Sequence, residues 1–256
     1  MPDGGIFLGM PGYGDLTAGA ARGFWRATRR PDSEVRYQYN HGSLLANNFN
    51  QLWCSALNLC LDGWPVHRYA MQHADVEPED WWLDKALGIL DASGLDVLGV
   101  AVPIKSPTEG LTSLALARPD GSTWRPLCRL TLDEVYSLPD PFTSADLGHP
   151  LLINTGLWVC RFDPSWASLV RFTINDRIVQ TPNGRYAPEV EPEDWYVSRL
   201  FHELGLKVGA TRQIALTHRG AAAFPNGKTW GDPFDSAYVS KSQLPATERD
   251  GFRFPA

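Results

Sequence analysis

Met71-Gln72-His73-Ala74-Asp75-Val76 is the stretch on which the fold of this chain turns. The residues before it, His67 to Gln72, have the pattern of a buried strand. The strand runs into an acidic turn, and a helix opens around Glu79-Asp80-Trp81. An aspartate at the C-terminal end of such a strand presents a hard oxygen, the ligand type that magnesium or manganese prefers. In an open α/β sheet, ligands gather outside the carboxyl ends of the strands.

Outward from this turn, strands and helices alternate. Ile6 to Met10 is a short apolar run closed by the turn signal Pro11-Gly12-Tyr13-Gly14. Ala18 to Thr28 has a helical face of Ala20, Phe24 and Ala27. Glu34 to Tyr39 is strand-like, and Leu44 to Leu61 carries apolar residues at helical spacing before Asp62-Gly63-Trp64-Pro65 ends it. A helix is expected over Asp80 to Asp91. Asp96 to Ile104 has few polar interruptions, as in strands buried on both faces of a parallel sheet. Residues 105–150 are rich in Pro, Gly, Ser and Thr. They are expected to leave the main sheet, with short strands at Ser113 to Ala117 and Trp124 to Leu130 and a helical turn at Leu132 to Tyr136. Leu151 to Arg161 reads as a returning strand, Glu193 to Leu204 as a helix with Gly205 in the C-cap role, and Val208 to Thr217 as containing a last strand. From Gly220 onward the periodicity fades. The expectation is an α/β domain with a mostly parallel sheet.

Composition narrows the function classes. The 256 residues are 43% hydrophobic and 20% charged, ordinary for a globular protein, and the formal net charge of -6 argues against electrostatic coating of nucleic acid. Met1 to Gly5 lacks the basic start of a signal peptide, and no apolar run approaches the ~20 residues that span a bilayer. The expectation is a cytoplasmic protein with no membrane partner. Cys54, Cys60, Cys128 and Cys160 form no CxxC pair, so reduced thiols are expected. Most of the ten tryptophans are expected in the core. Arg22, Arg26, Arg29 and Arg30 fall on neighbouring positions of one helix. A solvated face is the expected reading, and a basic face for DNA the alternative.

Three constellations carry chemistry. In His73-Ala74-Asp75, an imidazole and a carboxylate two residues apart can face one ligand; helix capping by Asp75 is the competing structural explanation. In Glu189-Val190-Glu191-Pro192-Glu193-Asp194-Trp195, four carboxylates fall within six residues at a helix start. The helix dipole accounts for some of them. Asp194, followed by an amphipathic helix, stands where a general base for a hydroxyl group can sit. In Leu216-Thr217-His218-Arg219-Gly220, a histidine at the end of a late strand can ligate a metal and Arg219 can meet phosphate oxygens.

In this order and spacing, the three constellations resemble the nucleotide-diphospho-sugar transferases of the A-type glycosyltransferase fold. His73-Ala74-Asp75 stands in the place of that family's Asp-x-Asp motif, with His73 replacing the first acid. Glu193-Asp194 matches its acidic pair before a helix, the run from Ser198 to Val208 its helix–Gly–strand continuation, and His218 its late metal-binding histidine. Pro11 and Tyr13 resemble the loop that contacts the base. Asn50 resembles an asparagine near the nucleotide, here preceded by Phe49 instead of a basic residue. Asn154-Thr155-Gly156 resembles the strand that floors the sugar site, and Lys228-Thr229-Trp230 is similar to a diphosphate-touching segment of some members.

The resemblance covers about residues 6–220. It implies a Rossmann-like, mostly parallel sheet, a catalytic domain over 1–220 with the excursion at 105–150, and an irregular C-terminal tail over 221–256 packing on or near the active site. It implies a metal-dependent, inverting glycosyltransferase. Asp75 and His218 would hold Mn2+ (or Mg2+), Asp194 would be the catalytic base, and Pro11, Tyr13, Asn50, His73, Ala74 and Arg219 would contact the donor, most simply a UDP-sugar. The acceptor would be a saccharide or, as in bacteriophage-type members, a hydroxymethylated pyrimidine in DNA. A sugar-phosphate nucleotidyltransferase is an alternative, but that chemistry usually brings a lysine-rich loop after the first strand, and the first lysine here is Lys85. A catalytically silent nucleotide-sugar-binding module is another.

Overall fold

The computed structural model describes residues 5–31, 33–118 and 128–231. In chain order the first elements are β1 (Gly5–Gly12), α1 (Ala18–Ala27), β2 (Val35–His41), α2 (Leu45–Leu61), β3 (Val66–Gln72), β4 (Val76–Pro78), α3 (Trp82–Ser93) and β5 (Val97–Val100). The excursion follows as β6 (Leu111–Leu116), β7 (Cys128–Thr131), α4 (Leu132–Ser137), β8 (Phe142–Thr143), α5 (Ser144–Leu147) and β9 (Leu151–Leu152). The chain then returns through β10 (Leu157–Arg161), α6 (Pro164–Ala167), the hairpin β11 (Asn175–Gln180) and β12 (Tyr186–Glu191), α7 (Glu193–Glu203), β13 (Val208–Thr211), β14 (Leu216–Arg219) and β15 (Ala223–Pro225).

The central sheet has seven strands in the order β2-β1-β3-β10-β5-β13-β8. β2, β1 and β3 pair in parallel, as do β5 and β13; β10 runs antiparallel to both β3 and β5, and β8 antiparallel to β13. Five of the seven strands therefore share one direction, which gives the mixed α/β fold with a mostly parallel central sheet. Every residue of β1 and β5 is buried, as a sheet covered on both faces requires.

Alternation along the strands sends side chains to two cores. Phe7, Tyr69, Trp158 and Cys160 meet Phe49, Leu52 and Trp53 of α2 and Val197 and Phe201 of α7. Ile6, Leu8, Met10 and Val159 meet Phe24 of α1 and Trp82, Leu83, Leu87 and Leu90 of α3. Trp53, Trp82 and Trp158 are fully buried. A buried side chain of this size contributes at least the ~1.5–3 kcal/mol typical of a large apolar group. Local signals fix the helix ends. Thr17 caps α1 by accepting from the Ala20 N–H (3.2 Å), Thr131 and Glu134 form a capping box on α4, and Gly205 takes a positive φ of 74° just past α7.

The structure differs from expectation in several places: the strand expected over Asp96 to Ile104 is only Val97–Val100, and the hairpin β11–β12 is unexpected. The strand expected over Leu151 to Arg161 is two strands: β9 joins β6 and β7 in a separate sheet, and Asn154-Thr155-Gly156 turns the chain into β10 of the central sheet. Periodicity could not reveal this break within Leu151 to Arg161, because β9 and β10 are both apolar and buried. The strand expected within Val208 to Thr217 is β13 of the central sheet, and an unexpected strand, β14, follows it between β4 and β15. Beyond residue 220 the chain is also more regular than the fading periodicity suggested, since β15 pairs with β14 across it. The rest of the tail, 232–256, lies outside the described residues, as do 124–127 of the strand expected at Trp124 to Leu130. Among the described residues no helix is long and apolar enough to cross a membrane, and all four cysteines are free thiols.

Candidate functional site

The turn after β3 is built by backbone bonds from three directions. The Ala74 N–H donates to the Pro11 carbonyl (3.3 Å), the Ala74 carbonyl accepts from Thr17 N–H (3.1 Å), and the His73 N–H donates to the Gly156 carbonyl (2.8 Å). The Asp75 carbonyl accepts from the Arg219 N–H (2.8 Å), so β14 is clamped beside the turn. Asp75 is thereby fixed at the carboxyl end of β3, where the sequence pattern placed it.

Its carboxylate stands in a cationic pocket. Asp75 Oδ2 is ion-paired with Lys105 Nζ and lies 3.6 Å from His218 Nε2. His218 Nδ1 lies 2.8 Å from the Pro103 carbonyl, which can only accept, so this nitrogen carries the proton and Nε2 is the atom turned to Asp75. Partial burial by itself would raise the Asp75 pKa. The neighbouring His218 and His73 rings and the Lys105 ammonium outweigh it and hold the carboxyl well below the usual carboxylate range. His73 behaves oppositely. Burial lowers its pKa to about 4 against the pull of Asp75, with His218 and Lys105 adding to the lowering, so the ring is neutral at pH 7. It packs on Phe49 (centroids 5.1 Å apart), and its buried Nε2 has no hydrogen-bond partner among the described residues.

Asp75 Oδ2 and His218 Nε2 are separated by about the span of two ligands on one cation at ~2.1 Å. No group of three His, Cys, Asp or Glu side chains that could hold a metal occurs among the described residues. The pair fits an open site, of the kind magnesium occupies with one or two protein ligands while phosphate oxygens and water supply the rest.

Asp194 occupies a different environment. It is the second residue of α7, whose N-cap, Pro192, makes no side-chain cap bond. Its Oδ1 accepts the Trp195 N–H (2.8 Å). Burial and the adjacent Glu193 raise its pKa to about 7, against the opposing pull of Arg129 and the backbone hydrogen bonds. The Arg129 guanidinium stacks on the Trp195 ring at 4.8 Å. Ser198, one turn on, accepts from the Ile153 N–H (2.9 Å) and donates to the Asp194 carbonyl (2.7 Å). Residues 153–156 therefore run from Ser198, in the second turn of α7, to the Asp75 turn, joined to one through Ile153 and to the other through Gly156.

The remaining predicted residues divide. Tyr13 is 69% exposed and lines an open groove of about 520 Å³ with Leu44, Asn47, Phe172 and Ile174 among its walls. Such a mostly apolar groove with a few polar groups is of a size to seat a heterocycle. Pro11 and Ala74 are buried and shape the turn through their backbone groups. Asn50 is not available to a nucleotide in this arrangement. Its amide donates to the Phe172 carbonyl (2.7 Å) and its oxygen accepts the Phe172 N–H (2.9 Å), so it fastens the groove wall instead. Arg219 is exposed and paired with Glu77 (2.7 Å). Arg22, Arg26 and Arg29 are exposed, as expected of a solvated face, while Arg22 meets Asp80 (3.4 Å), Arg26 lies over Trp81 (5.8 Å) and Arg30, just past α1, meets Asp84 (3.1 Å).

The sequence pattern missed Lys105 and Arg129. Lys105 follows the buried run Asp96 to Ile104, so the rule that singled out Asp75, a polar residue at a strand's carboxyl end, also points to it. Arg129 carries no such signal, because it lies on β7, outside the central sheet.

No protein-family model matches this chain, and no curated protein matches it. Among solved structures, the A197 protein from STIV is similar at 14% identity and a TM-score of 0.48, over 89% of this chain and 94% of that one. S. aureus TarS 1-349 in complex with UDP-GlcNAc is similar at 11% identity and a TM-score of 0.39, over 92% of this chain and 62% of that one. A nucleoside-diphosphate-sugar pyrophosphorylase from Vibrio cholerae RC9 is similar at 10% identity and a TM-score of 0.35, over 81% and 72%. This chain spans less than two thirds of the TarS chain. At such distances the chemistry rests on the side chains of the site itself.

Proposed function

We propose that this chain is a glycosyltransferase that moves a sugar from a nucleoside-diphosphate sugar to an acceptor hydroxyl. The observation that carries the reading is the Asp75 turn: a carboxylate at the carboxyl end of a central strand, with His218 Nε2 at 3.6 Å and the Lys105 ammonium on the same oxygen. That combination suits a diphosphate, which needs cations around its oxygens and, in most such sites, a divalent ion between them.

In this reading Asp75 and His218 would hold Mn2+ or Mg2+ together with the donor phosphates. When bound, the ion supplies Lewis-acid stabilisation of the departing diphosphate. The groove beside Tyr13 seats the base, with a uridine nucleotide the first donor to try. Neutral His73 packs beneath the turn and adds no charge to repel the ion. Asp194, with a carboxyl poised near 7, takes the proton of the acceptor hydroxyl as that oxygen attacks the anomeric carbon. Direct attack of this kind inverts the anomeric configuration. A saccharide is the favoured acceptor over a modified DNA base, because the net charge is -6 and Arg22 and Arg30 already face Asp80 and Asp84.

The test is to incubate the protein with a set of nucleoside-diphosphate sugars and Mn2+ and to follow release of the nucleoside diphosphate. Release that depends on Asp75 is expected. Release of pyrophosphate from a nucleoside triphosphate and sugar phosphate, with no turnover of any nucleoside-diphosphate sugar, would replace this reading with nucleotidyl transfer.

A further inference from the structure

Lys105 has an unusual place for a lysine. It begins the loop 105–110 that follows the strand-like run after β5, and the loop's base is fixed. Ile104 N–H donates to the Leu111 carbonyl (3.0 Å), and the Pro103 carbonyl receives His218 Nδ1 (2.8 Å). The chain on either side of Gly110 is held as well, since a side chain on that residue would run into the Trp230 carbonyl. The backbone at Lys105 is thus anchored, while its side chain is 37% exposed on a flexible four-carbon stem. The stem crosses Gly220, where a Cβ would come within 3.0 Å of Lys105 Cδ.

The ammonium rests on Asp75 Oδ2, the same oxygen that faces His218 Nε2. A divalent cation held by Asp75 and His218 would compete with the ammonium for that oxygen. Two cations crowded on one carboxylate oxygen repel each other, and the stronger, doubly charged one keeps it. Among the described residues Lys105 pairs with no carboxylate but Asp75, so the displaced ammonium is left without that partner. The nearby Glu77 is already paired with Arg219 (2.7 Å). A phosphate oxygen of the donor is the anion that arrives with the cation, and a lysine is well suited to it as a mobile point charge.

We propose that Lys105 is a diphosphate-binding residue, and that its ammonium and a divalent cation are alternative partners of the Asp75 carboxylate. The ammonium holds the carboxylate until cation and diphosphate enter together, and then transfers to a phosphate oxygen. This rests on the reading of the Asp75 turn as a diphosphate site. It makes a prediction of opposite signs that an ordinary surface ion pair does not make. Removing Lys105 removes a competitor for the cation and a ligand for the phosphate, so the variant binds the metal alone more tightly and the metal–diphosphate more weakly.

The experiment uses the full chain and its Lys105→Met, Lys105→Arg and Asp75→Asn variants, titrated calorimetrically with Mn2+ alone and then, in saturating Mn2+, with UDP and with inorganic pyrophosphate as a probe without a base. Lys105→Met is expected to bind Mn2+ several-fold more tightly. It is expected to bind UDP or pyrophosphate roughly 10- to 100-fold more weakly, the equivalent of one charge-assisted hydrogen bond. Lys105→Arg should recover much of the diphosphate affinity. If the wild type binds a diphosphate, Asp75→Asn loses it and Lys105→Met keeps it, the role of Lys105 is overturned while the site survives. A Lys105→Met variant that binds Mn2+ less tightly than the wild type overturns the shared-carboxylate arrangement. A wild type that binds neither diphosphate in Mn2+ overturns the diphosphate site and this inference with it.

Discussion

The turn after β3 and the first turn of α7 each present an aspartate, and their surroundings drive the two carboxyls in opposite directions. Asp75 is ion-paired with Lys105 and lies beside His218, and these neighbours overcome the cost of its burial and keep it ionised. Asp194 is recessed beside another carboxylate, Glu193, and burial lifts it to about 7. Where two carboxyl groups are pushed apart in this way, the depressed one suits permanent charge work, such as holding a cation. The raised one suits proton transfer near neutral pH. The segment 153–156 joins the turn after β3 to Ser198 of α7, so the two specialised carboxyls belong to one framework.

The largest effect is expected at the depressed carboxyl. Asp75→Asn should lower nucleoside-diphosphate-sugar turnover on the order of a thousandfold or more, since a metal-held carboxylate contributes several kcal/mol to the transition state. The fold should persist, because the ion pair is partly exposed and screened by water. Turnover and melting temperature on one preparation check this, and wild-type turnover in saturating Mn2+ would remove Asp75 from the site. The pair's stabilising contribution has a definite sign. The Asp75 pKa is depressed in the folded state, so the contribution is present above the unfolded value of ~3.9 and is lost as pH falls below it.

Asp194→Asn should leave metal and donor binding intact and slow transfer to acceptor by about a hundredfold or more. The wild-type rate should climb with pH through about 7 as the base ionises, and the variant should lack that step. Stability supplies an independent check. A raised pKa means that ionising Asp194 costs folding free energy as pH rises from the unfolded ~3.9 through the folded value. Asp194→Asn should therefore melt above the wild type at pH 8. A helix cap would behave otherwise: its loss costs about 1 kcal/mol at any such pH and spares the rate.

Smaller changes sharpen the contrast. His218→Ala should weaken Mn2+-dependent UDP binding by at least ~10-fold, the lower bound for loss of even an outer-shell partner of a metal, and calorimetry reads it directly. Unchanged affinity would leave Asp75 without its partner. Asn50→Ala should lower stability by ~1–3 kcal/mol through two lost bonds to the Phe172 backbone, measurable by denaturant unfolding.

Much of this arrangement was legible in the residues. The alternation of periods gave the central sheet and its covering helices. A carboxylate at a strand's end and a helix start crowded with acids marked the two turns. What stayed hidden depends on contacts between distant segments. Lys105 meets Asp75 only because β5 lies two strands from β3 with the antiparallel β10 between them, and no local pattern encodes that order. Asn50 reads as a free polar side chain on a helix, yet Phe172, 122 residues on, takes both ends of its amide. The arginines of α1 repeat at helical spacing whether they face water or α3.

The central claim, that the Asp75 turn binds the diphosphate of a nucleotide sugar, is tested most directly by thermal shift. The wild type and Asp75→Asn are melted with a panel of nucleoside-diphosphate sugars, with and without Mn2+. A ligand at 100 times its Kd adds ~2.7 kcal/mol to the folded state. The account predicts an Mn2+-dependent rise in melting temperature for at least one donor in the wild type and none in Asp75→Asn. Equal rises in both proteins, or no rise with any donor, would contradict it.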